Sequence, residues 1–212
     1  MTTPSARLNP FFSMWTQPRR SIREALTMPE HFVIALACVW GISRALDRAS
    51  YKSLGDRLSL PWVLAFAIGL GPITGVTMLY LFGWLLGWTG RWMGGAGSPS
   101  EIRAAIAWPH VITFWGLLLW IPELLVFGRE LFTTATPRLD ASLGLSAAMI
   151  GFFLLEATLL IWSIVAYLHC LGEVQRFSAW KAFGNTIVAI LVFLMITVPI
   201  AIVLVMVWLL VH

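Results

Sequence analysis

An apolar run of about 29 residues, from Leu60 to Trp88, constrains the fold of this chain more than any other feature. As a helix it would be about 44 Å long at 1.5 Å per residue, whereas the hydrocarbon core of a bilayer is about 30 Å thick. Gly71-Pro72 lies inside the run, so it is either one kinked span or two pieces broken at this pair. We expect one span, because residues 60–70 are too few to cross alone and no polar turn follows them.

Four glycines follow a four-residue period within this run, with a break only at Leu79. They are Gly71, Gly75, Gly83 and Gly87. On a helix this spacing places them on one face, where the missing side chains let another helix approach closely. The period therefore predicts a helix-packing ridge.

The composition agrees with a membrane protein, since 59% of the residues are hydrophobic and 11% are charged. A soluble domain has an apolar share nearer half and a charged share of about a quarter. We predict an all-α, polytopic membrane helix bundle with five transmembrane helices. They cover about 30–46, 60–88, 108–127, 143–171 and the segment from 183 to the C-terminus.

The sequence divides into an N-terminal amphipathic segment, 1–29, and a membrane domain, 30–212. A short interfacial helix is predicted near 18–28, with Arg19, Arg20 and Arg23 toward anionic lipid headgroups and Ile22 and Leu26 toward acyl chains. A disordered tail is the alternative. The clustered basic residues are interpreted as topology signals and lipid contacts, and no nucleic-acid partner is expected.

A second short interfacial helix is predicted at 99–107, after a glycine-rich loop. Ser98 is placed to cap it, Pro99 takes its first position, and Glu101 completes a capping box. For the orientation, eight Lys and Arg residues lie on the face of the N-terminus and six on the other. This difference favours a cytoplasmic N-terminus, and a sixth span, from a break at Gly71-Pro72, would change the assignment.

Three segments resemble bacterial members of the Yip (Ypt-interacting-protein) domain family: NPFFSMWTQPRRSIRE at 9–24, the tryptophan- and glycine-rich run at 87–98, and AIAWP at 105–109. The resemblance covers nearly the whole chain. It implies a five-span bundle with a cytoplasmic N-terminus in the bacterial inner membrane.

Eukaryotic members of that family are implicated in vesicle traffic and partner Rab GTPases. Their acidic-Leu-Tyr-Gly-Pro motif is replaced here by Asn9-Pro10-Phe11-Phe12. GTPase binding is therefore not carried over to this chain.

Polar residues within the spans are the candidates for function, because an ionisable side chain in hydrocarbon is costly. Glu156 lies near the middle of the fourth span, and helical spacing puts Ser163, Tyr167 and Cys170 on nearly the same face. This stripe is either an intramembrane polar path for protons, ions or headgroups, or a set of structural hydrogen bonds around a protonated glutamate. Glu123, near the end of the third span, is expected to reach headgroups or water.

His110 and His169 lie near the same end of antiparallel spans and could meet, but a metal site would need a third ligand. Cys38 and Cys170 lie inside apolar segments and are interpreted as small buried hydrophobes. No metal and no cofactor are therefore predicted. Known catalytic and phosphate-binding motifs are missing from the sequence.

The sequence thus favours a non-enzymatic integral membrane protein that organises membrane or membrane-protein assembly, as a homo-oligomer or as a subunit of a larger membrane complex. The alternative is a transporter or lipid-translocating protein that uses the polar path of Glu156, Ser163, Tyr167 and Cys170.

Overall fold

The computed structural model describes residues 8–211, and these form helices without any strand. The first seven residues of the predicted N-terminal segment, and His212, lie outside the described residues. The nine α-helices within 8–211 are α1 Pro10–Ser13, α2 Pro18–Ala25, α3 His31–Tyr51, α4 Leu60–Trp92, α5 Pro99–Ala107, α6 His110–Val126, α7 Pro137–Asp140, α8 Leu143–Val174 and α9 Ala179–Val211. Two 3₁₀ turns, Leu54–Asp56 and Gly128–Phe132, lie in the connections after α3 and α6.

Four segments of the described chain are long and apolar enough to cross a membrane: Leu60–Trp92, Pro99–Val126, Leu143–Val174 and Ala179–Leu210. The all-helical membrane bundle is confirmed, but the predicted count of five spans is not matched. The difference lies in α3, whose C-terminal half carries Arg44, Asp47 and Arg48. Helix α3 continues beyond the predicted end of the first span, at residue 46, as far as Tyr51. Asp47, in this added part, pairs with Arg44 one turn earlier at 2.9 Å, which supports the helix.

Helix α4 is continuous through Pro72, so the apolar run is one helix and not two pieces. This agrees with the expectation of one span and excludes a helix break at Gly71-Pro72. The helix predicted at 99–107 is found, since α5 begins at Pro99 and has the reciprocal capping box between Ser98 and Glu101. Its interfacial location stays a prediction.

Contacts at both ends of α3 show that it runs from one face of the bundle to the other. At its start, Phe32 packs against Trp108, with 6.3 Å between the ring centroids. At its end, the Ser50 hydroxyl donates to the Leu131 carbonyl at 2.6 Å, beyond the end of α6. Helices α3 and α6 therefore run parallel between the same two faces. We name these the N-terminal face (α1, α2, α5 and residues 175–178) and the opposite face (both 3₁₀ turns and α7).

The N-terminal segment is part of the packed protein. Met14 and Ile22 are fully buried and share one apolar cluster with residues of α3, α5 and α6. Ile22 therefore contacts protein and not the acyl chains that the sequence predicted for it, whereas Leu26 is partly exposed. The physical reason is that the buried side of α2 lies against α8. The division into 1–29 and 30–212 stays a prediction.

Candidate functional site

The glycine ridge of α4 contacts two different helices. A Cβ at Gly71 would lie 2.8 Å from the Ile42 Cα of α3, and one at Gly75 would lie 2.9 Å from the Gly41 Cα. The first two glycines therefore pack against α3 at a distance that no side chain would allow. Gly41 is the matching small residue of α3. It was not predicted from the sequence, because a single glycine forms no repeating pattern along a helix.

The other two glycines of the ridge face α5. A Cβ at Gly83 would meet the Arg103 Cγ at 2.9 Å, and one at Gly87 would meet Ile102 at 3.2 Å. Leu79, which breaks the period, is buried where the contact surface of α4 passes from α3 to α5. The ridge thus packs against two of the neighbours of α4, namely α3 and α5, and its glycines carry no side-chain chemistry.

The three N-terminal arginines differ in their surroundings. Arg19 Nη1 lies 3.1 Å from Glu173 Oε2, and its other nitrogens donate to His169 Nδ1 at 3.4 Å and the Phe177 carbonyl at 3.2 Å. Arg23 lies 3.5 Å from the same Glu173, whereas Arg20 donates to Gln17 at 2.9 Å within α2. Arg19 therefore attaches α2 to the end of α8, and Arg20 is the arginine best placed for a headgroup.

Ser163 and Tyr167 of the predicted polar path make hydrogen bonds within the protein. The Ser163 hydroxyl donates to the Pro109 carbonyl at 3.3 Å, and the Tyr167 and Thr186 hydroxyls are 2.9 Å apart. Both residues also border an apolar cavity of about 270 Å³ between α3, α4, α6, α8 and α9, which we call the deep cavity. The two hydroxyls are used in hydrogen bonds between segments of the protein. Most of the other residues that line this cavity are apolar, so its wall is mainly hydrocarbon.

Cys170 lies beyond that cavity and is fully buried beneath the N-terminal segment. Its Sγ lies 3.5 Å from the Met14 sulfur and 3.5 Å from the Pro18 carbonyl. The thiol therefore packs between α8 and the start of α2, as expected for a small buried residue.

Glu156 faces charged residues of α3. It borders a cavity of about 280 Å³ together with Arg44 and Asp47, which we call the polar cavity. Both residues of that ion pair are also bordered by a groove of about 650 Å³ between α3 and α4. Sequence reasoning missed this arrangement because Arg44 and Asp47 belonged to the predicted end of the first span, far from Glu156 along the chain.

Glu123 lies close to this group and is buried, contrary to the expectation that it reaches headgroups or water. Its residue exposure is 4%, and its Oε1 has no hydrogen-bond partner in the described part of the chain. Three acids and one arginine thus share the half of the bundle near the opposite face.

His110 and His169 have separate partners. The His110 ring stacks on Trp40 with a centroid distance of 5.1 Å, while His169 accepts from Arg19. No three His, Cys, Asp or Glu residues of the described chain are grouped so that they could hold a metal ion.

A buried polar cluster that the sequence analysis did not identify joins α4 to the start of α9. Asn185 and Gln175 donate from their side-chain amides to the Leu86 carbonyl at 3.1 and 3.2 Å. The Thr89 hydroxyl donates to Asn185 Oδ1 at 2.7 Å. Gly90 provides the space for Gln175, since a Cβ there would overlap the amide. These bonds join the ends of α4 and α8 to the start of α9 at the N-terminal face.

Comparison with known proteins supplies the family. Neither a curated protein nor a solved structure matches the chain. A family model described as Yip1 domain matches residues 12–202. That match begins at residue 12 of the N-terminal segment, includes α4, α5, α6 and α8 in full, and covers α9 as far as residue 202. The chain therefore belongs to the Yip1 domain family of integral membrane proteins.

Proposed function

We propose that this chain is a non-enzymatic membrane protein that organises membrane or membrane-protein assembly by associating with copies of itself. We place it in the bacterial inner membrane with a cytoplasmic N-terminus, and we assign α3 as a fifth span because its two ends contact opposite faces of the bundle. Arg20 and its neighbours then lie at the anionic cytoplasmic leaflet.

The uncovered surface of α9 is the observation that supports self-association best. The first half of α9 packs on α4 and α8, whereas every side chain from Val198 to Val207 is exposed. In lipid, helices associate through packing and not through a hydrophobic driving force, so an exposed helix surface is available to a partner of matching shape. Residues 198–207 of α9 form such a surface.

A photo-crosslinking amino acid at Leu204, which is 63% exposed on α9, tests this proposal. We expect a crosslinked product of twice the chain's mass after irradiation in membranes. The control is the same amino acid at Ile68 of α4, which is 61% exposed and should give no such product. A product with a different protein would replace self-association by a larger complex, and the lack of any protein product would contradict both.

Lipid translocation is a second candidate function, and the polar cavity favours it. Charged residues that border a cavity within the membrane are otherwise rare. In liposomes with fluorescent lipid, the wild-type chain should speed exchange between leaflets, and Glu156→Gln should slow it. Equal rates for the two proteins, or no exchange above empty liposomes, would exclude the path through Glu156.

A further inference from the structure

The polar cavity and the deep cavity are neighbours, and we call the pair the cleft, which has a charged end and an apolar end. Trp40, Thr113 and Leu160 border both cavities. The charged end lies toward the opposite face, where α3 ends. The apolar end continues toward the N-terminal face, between Met78 and Ile164. A ligand of this cleft must therefore be charged at one end and hydrocarbon at the other.

The charges at the polar end have both signs. Arg44 and Arg48 are exposed on α3 and border the groove that continues the polar cavity. A guanidinium binds phosphate oxygens with short, charge-assisted hydrogen bonds. Glu156 borders the polar cavity from α8, and its carboxyl oxygens can accept hydrogen bonds from a ligand. Asp47 borders both the groove and the polar cavity. Phosphate alone would be repelled by these carboxylates, so the ligand also needs a cationic group.

We propose that the cleft binds a zwitterionic amino-phospholipid, phosphatidylethanolamine, with its phosphate on Arg44 and Arg48, its ammonium on Glu156 and Asp47, and one acyl chain in the deep cavity. The order of the two cavities along the bundle matches a lipid whose headgroup lies at the opposite face. A primary ammonium donates hydrogen bonds to carboxylates, whereas the quaternary ammonium of phosphatidylcholine has no N–H to donate. Phosphatidylglycerol has no cation at all. The inference concerns a resting binding site and requires neither self-association nor lipid translocation.

Native mass spectrometry of the full chain in detergent tests the proposal. Phosphatidylethanolamine, phosphatidylcholine and phosphatidylglycerol with identical acyl chains are added singly and in pairs. We expect phosphatidylethanolamine to bind about tenfold more tightly than either of the other lipids. This difference is the size expected for the charge-assisted hydrogen bonds of its ammonium group to the carboxylates. Equal affinities of the wild-type chain for the three lipids would overturn the proposal without any variant.

Substitutions then locate the site. Arg44→Gln should weaken binding of both phosphatidylethanolamine and phosphatidylglycerol, whereas Glu156→Gln should weaken only the former, by about tenfold. Lys52→Gln, which removes an exposed cation at the same face, and Glu24→Gln, on the N-terminal face, are the controls and should leave affinities unchanged. If Glu156→Gln binds phosphatidylethanolamine like wild type while its melting temperature is also unchanged, the assigned ammonium site is wrong.

Discussion

At the residue scale, a close backbone contact between α3 and α4 depends on Gly75 and Gly41. A methyl group at Gly75 would overlap the Ala37 carbonyl and come within 2.9 Å of the Gly41 Cα. Backbone atoms cannot rotate away, so the two helices would have to separate. The contact is therefore more sensitive to a small substitution than Gly83 and Gly87 at the other end of the ridge, where flexible side chains of α5 are the neighbours.

We expect Gly75→Ala to destabilise the protein by about 1–3 kcal/mol, the usual cost of overpacking. Gly69→Ala is the matched control on the same helix, because a Cβ at Gly69 has nothing within 4 Å. Alanine is the better helix former by up to about 1 kcal/mol, so this control should be neutral or stabilising. The melting temperatures of the detergent-solubilised variants, followed by tryptophan fluorescence, should move in opposite directions. A Gly75→Ala protein as stable as Gly69→Ala would place the ridge against lipid.

Asp56 gives the opposite face a pH-dependent contact. Its carboxylate accepts from the Thr134 hydroxyl at 2.6 Å and from the Thr134 backbone N–H at 3.1 and 3.2 Å. These hydrogen bonds lower the pKa of Asp56 from its ordinary value of 3.8, with a smaller contribution from Arg129. The contact ties the connection after α3 to the one after α6.

A carboxylate with a lowered folded-state pKa stabilises the fold fully above its ordinary value, and this contribution disappears as the pH falls through the lowered value. We therefore expect Asp56→Asn to melt at a lower temperature than wild type at pH 7. The difference should persist to about pH 4 and close at lower pH, as the wild-type carboxyl is protonated. A difference that does not change with pH would show that the carboxylate form is not what stabilises the contact.

At the scale of elements, α2 is attached to the bundle through its arginines and its buried side. Arg19 makes three polar contacts with the end of α8 and the residues after it, whereas Arg20 contacts only its own helix among the hydrogen bonds of the described residues. The two residues are adjacent and have the same charge. Comparing a substitution of each therefore distinguishes the loss of α2 docking from a general effect of lost positive charge.

Arg19→Gln should weaken docking of α2 by about 1 kcal/mol, because half-exposed ion pairs contribute little and the carbonyl hydrogen bond adds to them. Amide hydrogen exchange over residues 18–25 should become about fivefold faster, and Arg20→Gln should leave it unchanged. Arg20→Gln should instead reduce binding of the solubilised protein to anionic liposomes. If both variants exchange at the wild-type rate, the apolar contacts of Ile22 hold α2 without Arg19.

At the scale of the whole molecule, the number of spans determines where the termini lie. With α3 as a fifth span, Lys52 lies on the side of the membrane opposite Glu24, and the C-terminus lies on the side of Lys52. With only four crossings the two termini share one side. Because α3 contacts the N-terminal face at Phe32 and the opposite face at Ser50, we expect five.

Cysteine labelling of sealed, oriented vesicles checks this topology. In a Cys38→Ala and Cys170→Ala background, a membrane-impermeant maleimide should label Glu24→Cys only from the cytoplasmic side and Lys52→Cys only from the other. Asp140→Cys, after α6, should behave like Lys52→Cys. Labelling of Glu24→Cys and Lys52→Cys from the same side would leave α3 as a helix that does not cross.

Much of the architecture follows from local sequence signals. The capping box at Ser98 and Glu101 predicts where α5 begins, and the glycine period predicts a packing face of α4, because both act within a turn or two of one helix. The candidate site was predicted only in part. Glu156 was identified from its place in an apolar span, but its neighbours Arg44 and Asp47 are more than a hundred residues away in sequence, and no local pattern indicates such a contact.

The sequence by itself determined that this is an all-helical membrane protein, because uninterrupted apolar runs can satisfy their backbone in lipid only as helices. It also determined the ridge, since glycine spacing defines a helix face before any partner is known. Only the tertiary structure decided which helices use that face, that Arg19 bonds to α8, and that Arg44, Asp47 and Glu156 border one cavity. The physical reason is that a helix fixes the direction of its own side chains, whereas the partner of each side chain depends on how separate helices pack.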